Sequence, residues 1–307
     1  MPNKIKPKII LIVGPTATGK SNLGVQIAKK FKGEIISADS RQVYKGMDIG
    51  TGKITKKEML GVKHHLLDIA NPRNTYNATK FKNAAEKIIK DILKRKKVPI
   101  IVGGTGFWID VVAFNTSFPD VPPNHALRKK LEKLTPEKLF AMLKKVSPKR
   151  AENIDWKNKR RVIRALEIAK GSKNGIIPEQ TSSPKFTNLF IGLDLPNSKL
   201  EEKISKRLDQ RLKKGMVKEV EKLRKDGVSW NRLDELGLEY RYVAEYLQKK
   251  ITETQLREQL LIAIRNYAKR QKTWFKRNQL IEWFDPTDKK LKSKTAKLIS
   301  TYLKKAA

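Results

Sequence analysis

Gly14-Pro15-Thr16-Ala17-Thr18-Gly19-Lys20-Ser21 satisfies G-x-x-x-x-G-K-[ST] at every position. Glycines at the first and sixth places let the backbone curl until successive N–H groups face one concavity, and the helix that follows adds the positive end of its dipole. Lys20 contributes a point charge and Ser21 a hydroxyl suited to a magnesium ion, so the eight residues read as a phosphate or pyrophosphate cradle. Two further groups have chemistry-bearing neighbours. Asp39, in Ser37-Ala38-Asp39-Ser40-Arg41-Gln42-Val43-Tyr44, reads as a general base, a magnesium ligand or a helix N-cap. Thr105, in Gly103-Gly104-Thr105-Gly106, reads either as a donor to a phosphate oxygen or as the cap of the helix that follows.

The elements that must carry these groups alternate. The apolar run Ile9–Val13 is a strand, Lys20–Phe31 a helix, Glu34–Ser37 a strand, Asn77–Lys96 a helix and Pro99–Val102 a strand. This βαβ rhythm predicts a parallel sheet with helices on its faces, and such sheets bind ligands beyond the carboxyl ends of their strands. All three groups fall there. A phosphate-loop NTPase usually places a magnesium-binding aspartate after its third strand. Here that strand runs into Gly103-Gly104, which suits a pyrophosphate that leaves better than a phosphoryl group that moves.

The rhythm breaks at the proline-rich stretch Ser117–Pro123. Residues 124–170 read as helical, with starts at Thr135-Pro136 and Ser147-Pro148, and Gly171–Pro184 reads as loop. Strand character returns at Leu189–Leu195, and helices are predicted over Ser198–Lys214, Val217–Lys225, Tyr240–Gln248 and Thr252–Arg277, then a short apolar segment at Leu280–Phe284 and a last helix. The expected fold is α/β: a P-loop NTPase-like parallel sheet core (1–116 and 188–307) flanked by helices, with an inserted all-helical domain (117–187).

The chain has 68 Lys and Arg against 31 Asp and Glu, a formal charge of +37. Such a field draws polyanions, but the charge is spread along the whole sequence, so a lysine-rich solvated surface explains it equally well. With no cysteine, disulfides, thiolate metal sites and a cysteine nucleophile are excluded, and three histidines make a histidine-only metal cage a poor reading. No apolar stretch reaches membrane-spanning length, and the basic N-terminus precedes too short an apolar run for a signal peptide. A soluble cytoplasmic protein is expected.

The cradle, the segment Ser37–Thr51, His64-His65-Leu66-Leu67-Asp68, Gly103-Gly104-Thr105-Gly106, Arg161-Val162-Ile163-Arg164-Ala165-Leu166-Glu167 and Ala268-Lys269-Arg270-Gln271-Lys272-Thr273-Trp274-Phe275 together resemble the tRNA dimethylallyltransferase (isopentenyl-tRNA transferase) family, colinearly and over nearly the whole chain. The resemblance implies transfer of a dimethylallyl group from its diphosphate to N6 of the adenosine 3′-adjacent to the anticodon of tRNA, with release of pyrophosphate and with Mg2+ as the cofactor. It implies Asp39 as general base, Thr105 near the reacting centre, Lys20 and Arg207 on the diphosphate, and Ser21 on the metal. It further implies tRNA contacts from Asp39, Ser40, Arg41, Gln42, Arg128, Arg160, Arg161, Arg164, Arg241, Arg265, Lys269, Arg270 and Gln271, and a monomer with no membrane attachment. By spacing alone, Arg160 and Arg164 share a helix face, as do Arg265, Lys269, Lys272 and Lys276, and these read as solvated faces. Tyr267 and Trp274 are expected to pack in the core.

The chain departs from the family pattern in three places. Arg211 stands where a methionine is common, Glu239 where a glycine is common, and Ser172–Pro178 replaces the usual Thr-Gly-x-Pro with a following serine. The rival functions are a phosphate-loop kinase of a small metabolite, a prenyltransferase acting on free adenine nucleotides, and a non-enzymatic RNA-binding protein using the loop as a nucleotide switch.

Overall fold

The computed structural model describes residues 6–119, 121–172 and 183–305. They form two compact units, Met1–Asn115 with Pro184–Ala307, and Thr116–Ser183. The first is built on strands β1 (Lys8–Val13), β2 (Gly33–Ser37), β3 (His64–His65), β4 (Val98–Val102), β5 (Thr187–Leu193) and β6 (Ile281–Phe284). All pair in parallel, in the order β3-β2-β4-β1-β5-β6. The helices in chain order are α1 (Lys20–Lys30), α2 (Lys56–Met59), α3 (Ala78–Lys94), α4 (Gly106–Ala113), α5 (His125–Leu131), α6 (Pro136–Val146), α7 (Pro148–Glu152), α8 (Lys159–Gly171), α9 (Asn197–Lys213), α10 (Met216–Lys225), α11 (Trp230–Leu236), α12 (Leu238–Leu247), α13 (Glu253–Lys276) and α14 (Leu291–Lys304).

β1 is a β-branched, unbroken apolar run, as a strand covered on both faces requires, and Ile9–Val13 are fully buried. Helix α3 turns Phe81, Ala85, Ile89 and Ile92 inward at helical spacing, and Asn77 caps its start by accepting the Lys80 N–H (2.9 Å). Helix α14 closes the sheet near its edge. Its Tyr302 hydroxyl reaches the carbonyls of Thr187 (2.6 Å) and Ile9 (3.2 Å).

The second unit is four helices, α5 to α8, around Leu131, Leu139, Leu143, Val162 and Leu166, with Phe140 stacked on Trp156. Proline at the first turn of α6 and of α7 marks both starts, as the sequence predicts.

The structure moves some boundaries. β5 begins two residues earlier than the apolar pattern indicates, because the Thr187 N–H bonds to Pro7 O (2.9 Å) and extends the ladder with β1. Phe186 and Thr187 therefore belong to the sheet unit, not to the inserted one. Gly171, read as loop, closes α8. The segment Leu280–Phe284 supplies β6. The pair His64–His65 and helix α11 carry too little periodicity to be read from sequence. The departure at 173–178 lies outside the described residues. No helix among the described residues is long and apolar enough to cross a membrane.

Candidate active site

Three neighbouring strands end level with one another: Ile12 is opposite Val102, and Val102 opposite Ser37. Backbone bonds carry the ladder past the strands, from Ala38 N–H to Val102 O (2.8 Å), Gly103 N–H to Ile12 O (3.2 Å) and Thr105 N–H to Ala38 O (3.3 Å). The loop after β1, the turn after β2 and the turn after β4 are thereby held together at the carboxyl edge of the sheet, the edge predicted from the sequence.

The loop Gly14–Gly19 has the backbone that an anion cradle needs. Gly14 has φ +134°, and a methyl group there would lie 2.2 Å from Leu193 O, so only glycine fits. Ala17 and Gly19 are left-handed at φ 63° and 86°, the alternation that turns amides toward one side. Thr18 Oγ1 donates to Pro15 O (2.9 Å) and Lys20 Nζ to the same carbonyl (2.5 Å). Ser21 is exposed in the first turn of α1, and its hydroxyl makes no hydrogen bond among the described residues.

Gln271 corrects the sequence reading. It was expected on an RNA-facing surface, but it is only 6% exposed. Its Oε1 accepts the Thr16 N–H (2.8 Å) and its Nε2 donates to Gly104 O (2.8 Å), tying the cradle to the turn after β4. The signal was present: Leu256, Leu260, Ile264, Ala268, Gln271 and Phe275 form the buried stripe of α13, so a glutamine there has to satisfy polar groups inside.

Cations gather beside the cradle. Arg207 Nη1 donates to Thr16 Oγ1 (3.2 Å). Burial, and then the Arg207 charge, bring the Lys20 ammonium down to about 7, although Asp39 pulls it the other way. Burial and the neighbouring Arg211 bring Arg207 down to about 10, which leaves it cationic near neutrality. These shifts mark a site in which positive charge exceeds negative and is shielded from water.

Asp39 is not a helix N-cap. No helix starts there; its Oδ1 accepts the N–H groups of Arg41 (2.8 Å) and Gln42 (3.3 Å), closing an Asx turn. Oδ2 accepts no hydrogen bond among the described residues. Thr105 occupies the N-cap position of α4 without capping it. Its hydroxyl instead accepts the Ser40 N–H (3.1 Å), fixing the turn that carries Asp39. Tyr267 also departs from expectation. It stands beside Thr105 rather than in the core, and burial, then the Asp39 charge, raise its hydroxyl above the ordinary value and keep it neutral. Trp274, only partly buried, donates from Nε1 to Asp110 (2.9 Å) and lies under Arg277.

The residues expected to meet tRNA fall into two kinds. Arg41 is fixed to Leu236 O (2.7 Å), Gln42 spans Ser37 Oγ and the carbonyls of Thr51 and Gly52, Arg241 pairs with Asp234, and Arg265 pairs with Glu201. Lys269 and Arg270 on α13 are exposed, but Lys272 from the same predicted stripe pairs with Asp194 (2.8 Å). In the helical unit Arg160 and Arg161 are exposed. Arg128 and Arg164 instead converge on Glu167, which is 1% exposed. Arg128 binds it through two bonds (2.9 and 2.8 Å), Arg164 through one (2.5 Å), and the Asn124 N–H adds a fourth (2.5 Å). Burial alone would push Glu167 up, but Arg128, Arg164 and Asn124 outweigh it and hold the carboxyl at about 2. The helix face shared by Arg160 and Arg164 thus divides into one cation without a partner among the described residues and one structural cation.

One residue near the site carried no sequence signal. Glu219 of α10 accepts the N–H groups of Asp48 (2.8 Å), Ile49 (2.6 Å) and Gly50 (3.0 Å) and the Tyr240 hydroxyl (2.8 Å). It pins the loop that follows Gln42.

Residues 42–278 match the model of the IPP transferase family. A tRNA dimethylallyltransferase of Anoxybacillus flavithermus is 41% identical over 92% of this chain and 91% of its own. One of Caldanaerobacter subterraneus is 41% identical over 96% and 97%. Among solved structures, the tRNA isopentenylpyrophosphate transferase of Bacillus halodurans superposes with a TM-score of 0.74 at 37% identity, covering 97% of this chain and 96% of that one. A eukaryotic dimethylallyltransferase acting on tRNA gives 0.83 at 29% identity, covering 97% and 79%. The chain belongs to the IPP transferase family, the tRNA dimethylallyltransferases.

Proposed function

We propose that the protein transfers a dimethylallyl group from dimethylallyl diphosphate to N6 of the adenosine 3′-adjacent to the anticodon of tRNA and releases pyrophosphate. The observation that carries this reading is the meeting, at one sheet edge, of an anion cradle with a carboxylate that keeps one oxygen uncommitted, in a chain of this family. When the allylic C–O bond breaks, carbon gains cationic character and negative charge builds on the diphosphate. The cradle amides, Lys20 and Arg207 stabilise that charge as it develops. The adenine amine is a poor nucleophile and loses a proton as it bonds to carbon; Asp39 Oδ2 accepts it. Thr105 holds the Asp39 turn through Ser40, and Tyr267 supplies a neutral hydroxyl next to it.

A magnesium ion fits the donor set. Ser21 offers a hard oxygen, and no group of three His, Cys, Asp or Glu side chains among the described residues could hold a metal alone. An ion held by Ser21 would take its other ligands from diphosphate and water, and when bound it would neutralise charge on the leaving group. Exposed Arg160, Arg161, Lys269 and Arg270 are the cations available to tRNA phosphates. The target base is extruded from its loop to reach the site, and the protein acts as a soluble monomer.

The test is to incubate the protein with labelled dimethylallyl diphosphate, magnesium and either tRNA, AMP or ATP. Label on tRNA is the expected result. Label on AMP, or phosphoryl transfer from ATP, overturns the assignment.

A further inference from the structure

Arg211 occupies the buried stripe of α9, after Leu200, Ile204 and Leu208. A guanidinium in such a stripe needs a counter-charge. It finds Glu239 on α12: both residues are 9% exposed, and Arg211 Nη1 lies 2.9 Å from Glu239 Oε1. The same Nη1 donates to Gly50 O (3.0 Å). One turn earlier on the helix stands Arg207. A methyl group at Gly52 would fall 2.0 Å from Arg211 Nη2 and 2.2 Å from Arg207 Nη2, so two guanidinium groups lie side by side against that glycine. Arg207 also reaches Gly52 O (3.5 Å) and Thr16 of the cradle. Adjacent buried cations repel one another, and Glu239 is the carboxylate bonded to Arg211.

We propose that Glu239, acting through Arg211, is a positioning residue for Arg207. Its carboxylate cancels the Arg211 charge and holds that guanidinium on Gly50, so that Arg207 is directed at Thr16 and the diphosphate. Without Glu239, Arg211 repels Arg207 from the shared glycine, and the cradle loses its best-placed external cation. The inference rests on reading the cradle as a diphosphate site.

Binding of inorganic pyrophosphate, measured by calorimetry on the full chain without tRNA, tests it. Glu239→Gln removes a negative charge, so simple electrostatics predicts tighter pyrophosphate binding, whereas mispositioned Arg207 predicts binding about tenfold weaker. In the Arg207→Ala background the same change should cost less than about twofold, because there is no Arg207 left to misplace. Adding Arg211→Met to Glu239→Gln restores the charge balance and should recover most of the loss. Unchanged or tighter binding by Glu239→Gln, or losses that simply multiply with those of Arg207→Ala, overturns the proposal. If Glu239→Gln does not fold, Arg211→Met carries the same cycle: it leaves Glu239 free to draw Arg207 off Thr16, and a loss that persists undiminished in the Arg207→Ala background is equally fatal. A wild-type protein that fails to bind pyrophosphate overturns the diphosphate reading and this inference with it. One that binds pyrophosphate and modifies tRNA while Glu239→Gln binds normally overturns the inference alone.

Discussion

The two ends of strand β2 treat charge in opposite ways. Near its start, Glu34 is 1% exposed and surrounded by donors: Arg95 grips it with two bonds, and Lys97 Nζ (2.8 Å) and His65 Nε2 (2.7 Å) complete the ring. Arg95 above all holds its carboxyl well below the usual range, against burial. His65 Nε2 must carry the hydrogen, because an ionised carboxylate only accepts. Just past the other end, Asp39 faces Lys20 and Arg207 with an oxygen to spare, and burial brings both cations below their ordinary values. One carboxylate saturated by two cations and an imidazole N–H is a fastening. Several cations short of anions are a receptor. The contrast recurs in the helical unit, where Arg128 and Arg164 saturate Glu167 while Arg160 and Arg161 stay exposed.

The comparison breaks most visibly at Asp39. Asp39→Ala should lower prenyl transfer by about a hundredfold or more while leaving tRNA binding and thermal melting intact; normal turnover in single-turnover assays would remove the base assignment. Glu34→Ala should do the reverse. It should cost about 3 kcal/mol of stability in urea unfolding, toward the low end for a broken buried pair because Arg95 and Lys97 can reach water, and leave the kinetics of the folded protein unchanged.

The next effect is on pH. Lys20 carries its proton fully only below about 7. A bound diphosphate favours the ammonium, so binding takes up a proton above that value. Pyrophosphate affinity should be flat below pH 7 and fall by up to about tenfold per unit above it; a flat profile from pH 7 to 9 would show that Lys20 does not meet the ligand. The sign for stability is opposite. A depressed lysine disfavours the fold when charged, so the free protein gains stability from this group as pH rises from 7 toward 10.5, the unfolded value.

The smallest effect separates exposed arginines from those committed to a buried carboxylate. Arg160→Ala and Arg161→Ala should each weaken tRNA binding a few-fold and reduce the salt slope by about one, with no change in melting. Arg128→Ala should instead lower the acid stability that Glu167 confers, which is fully present above about 4.5 and lost as pH falls toward about 2. A melting temperature unchanged in Arg128→Ala at pH 5 would contradict the structural role.

The sequence revealed the sheet edge because glycine spacing and apolar strands are local signals. The cradle, Asp39 and Thr105 all sit where Ile9–Val13, Glu34–Ser37 and Pro99–Val102 must end. What was illegible depends on partners distant in the chain. Arg128 meets Glu167 from 39 positions away, which no local pattern shows, whereas Arg164 reads as a solvated cation although its partner stands only three residues on. Arg211 and Glu239, two apparent irregularities of the sequence, prove to be each other's counter-ion across 28 positions. Gln271 was misplaced for a different reason: the family resemblance carried it over as one of a run of tRNA contacts on α13, whereas it belongs to the buried stripe of that helix.

The Gln271 bridge has a chemical corollary. It needs a side chain ending in one acceptor, for Thr16, and one donor, for Gly104, at a reach of three carbons. Hydrolysis of that amide would exchange a single nitrogen for oxygen. The product keeps its shape, yet it sets two lone pairs against each other at the Gly104 carbonyl and plants an anion at the lip of a receptacle for anions. Loss of ammonia at this one position would both unhitch α13 from the neighbouring turn and repel the substrate, ageing the enzyme at its hinge of assembly while the rest of the chain stayed intact.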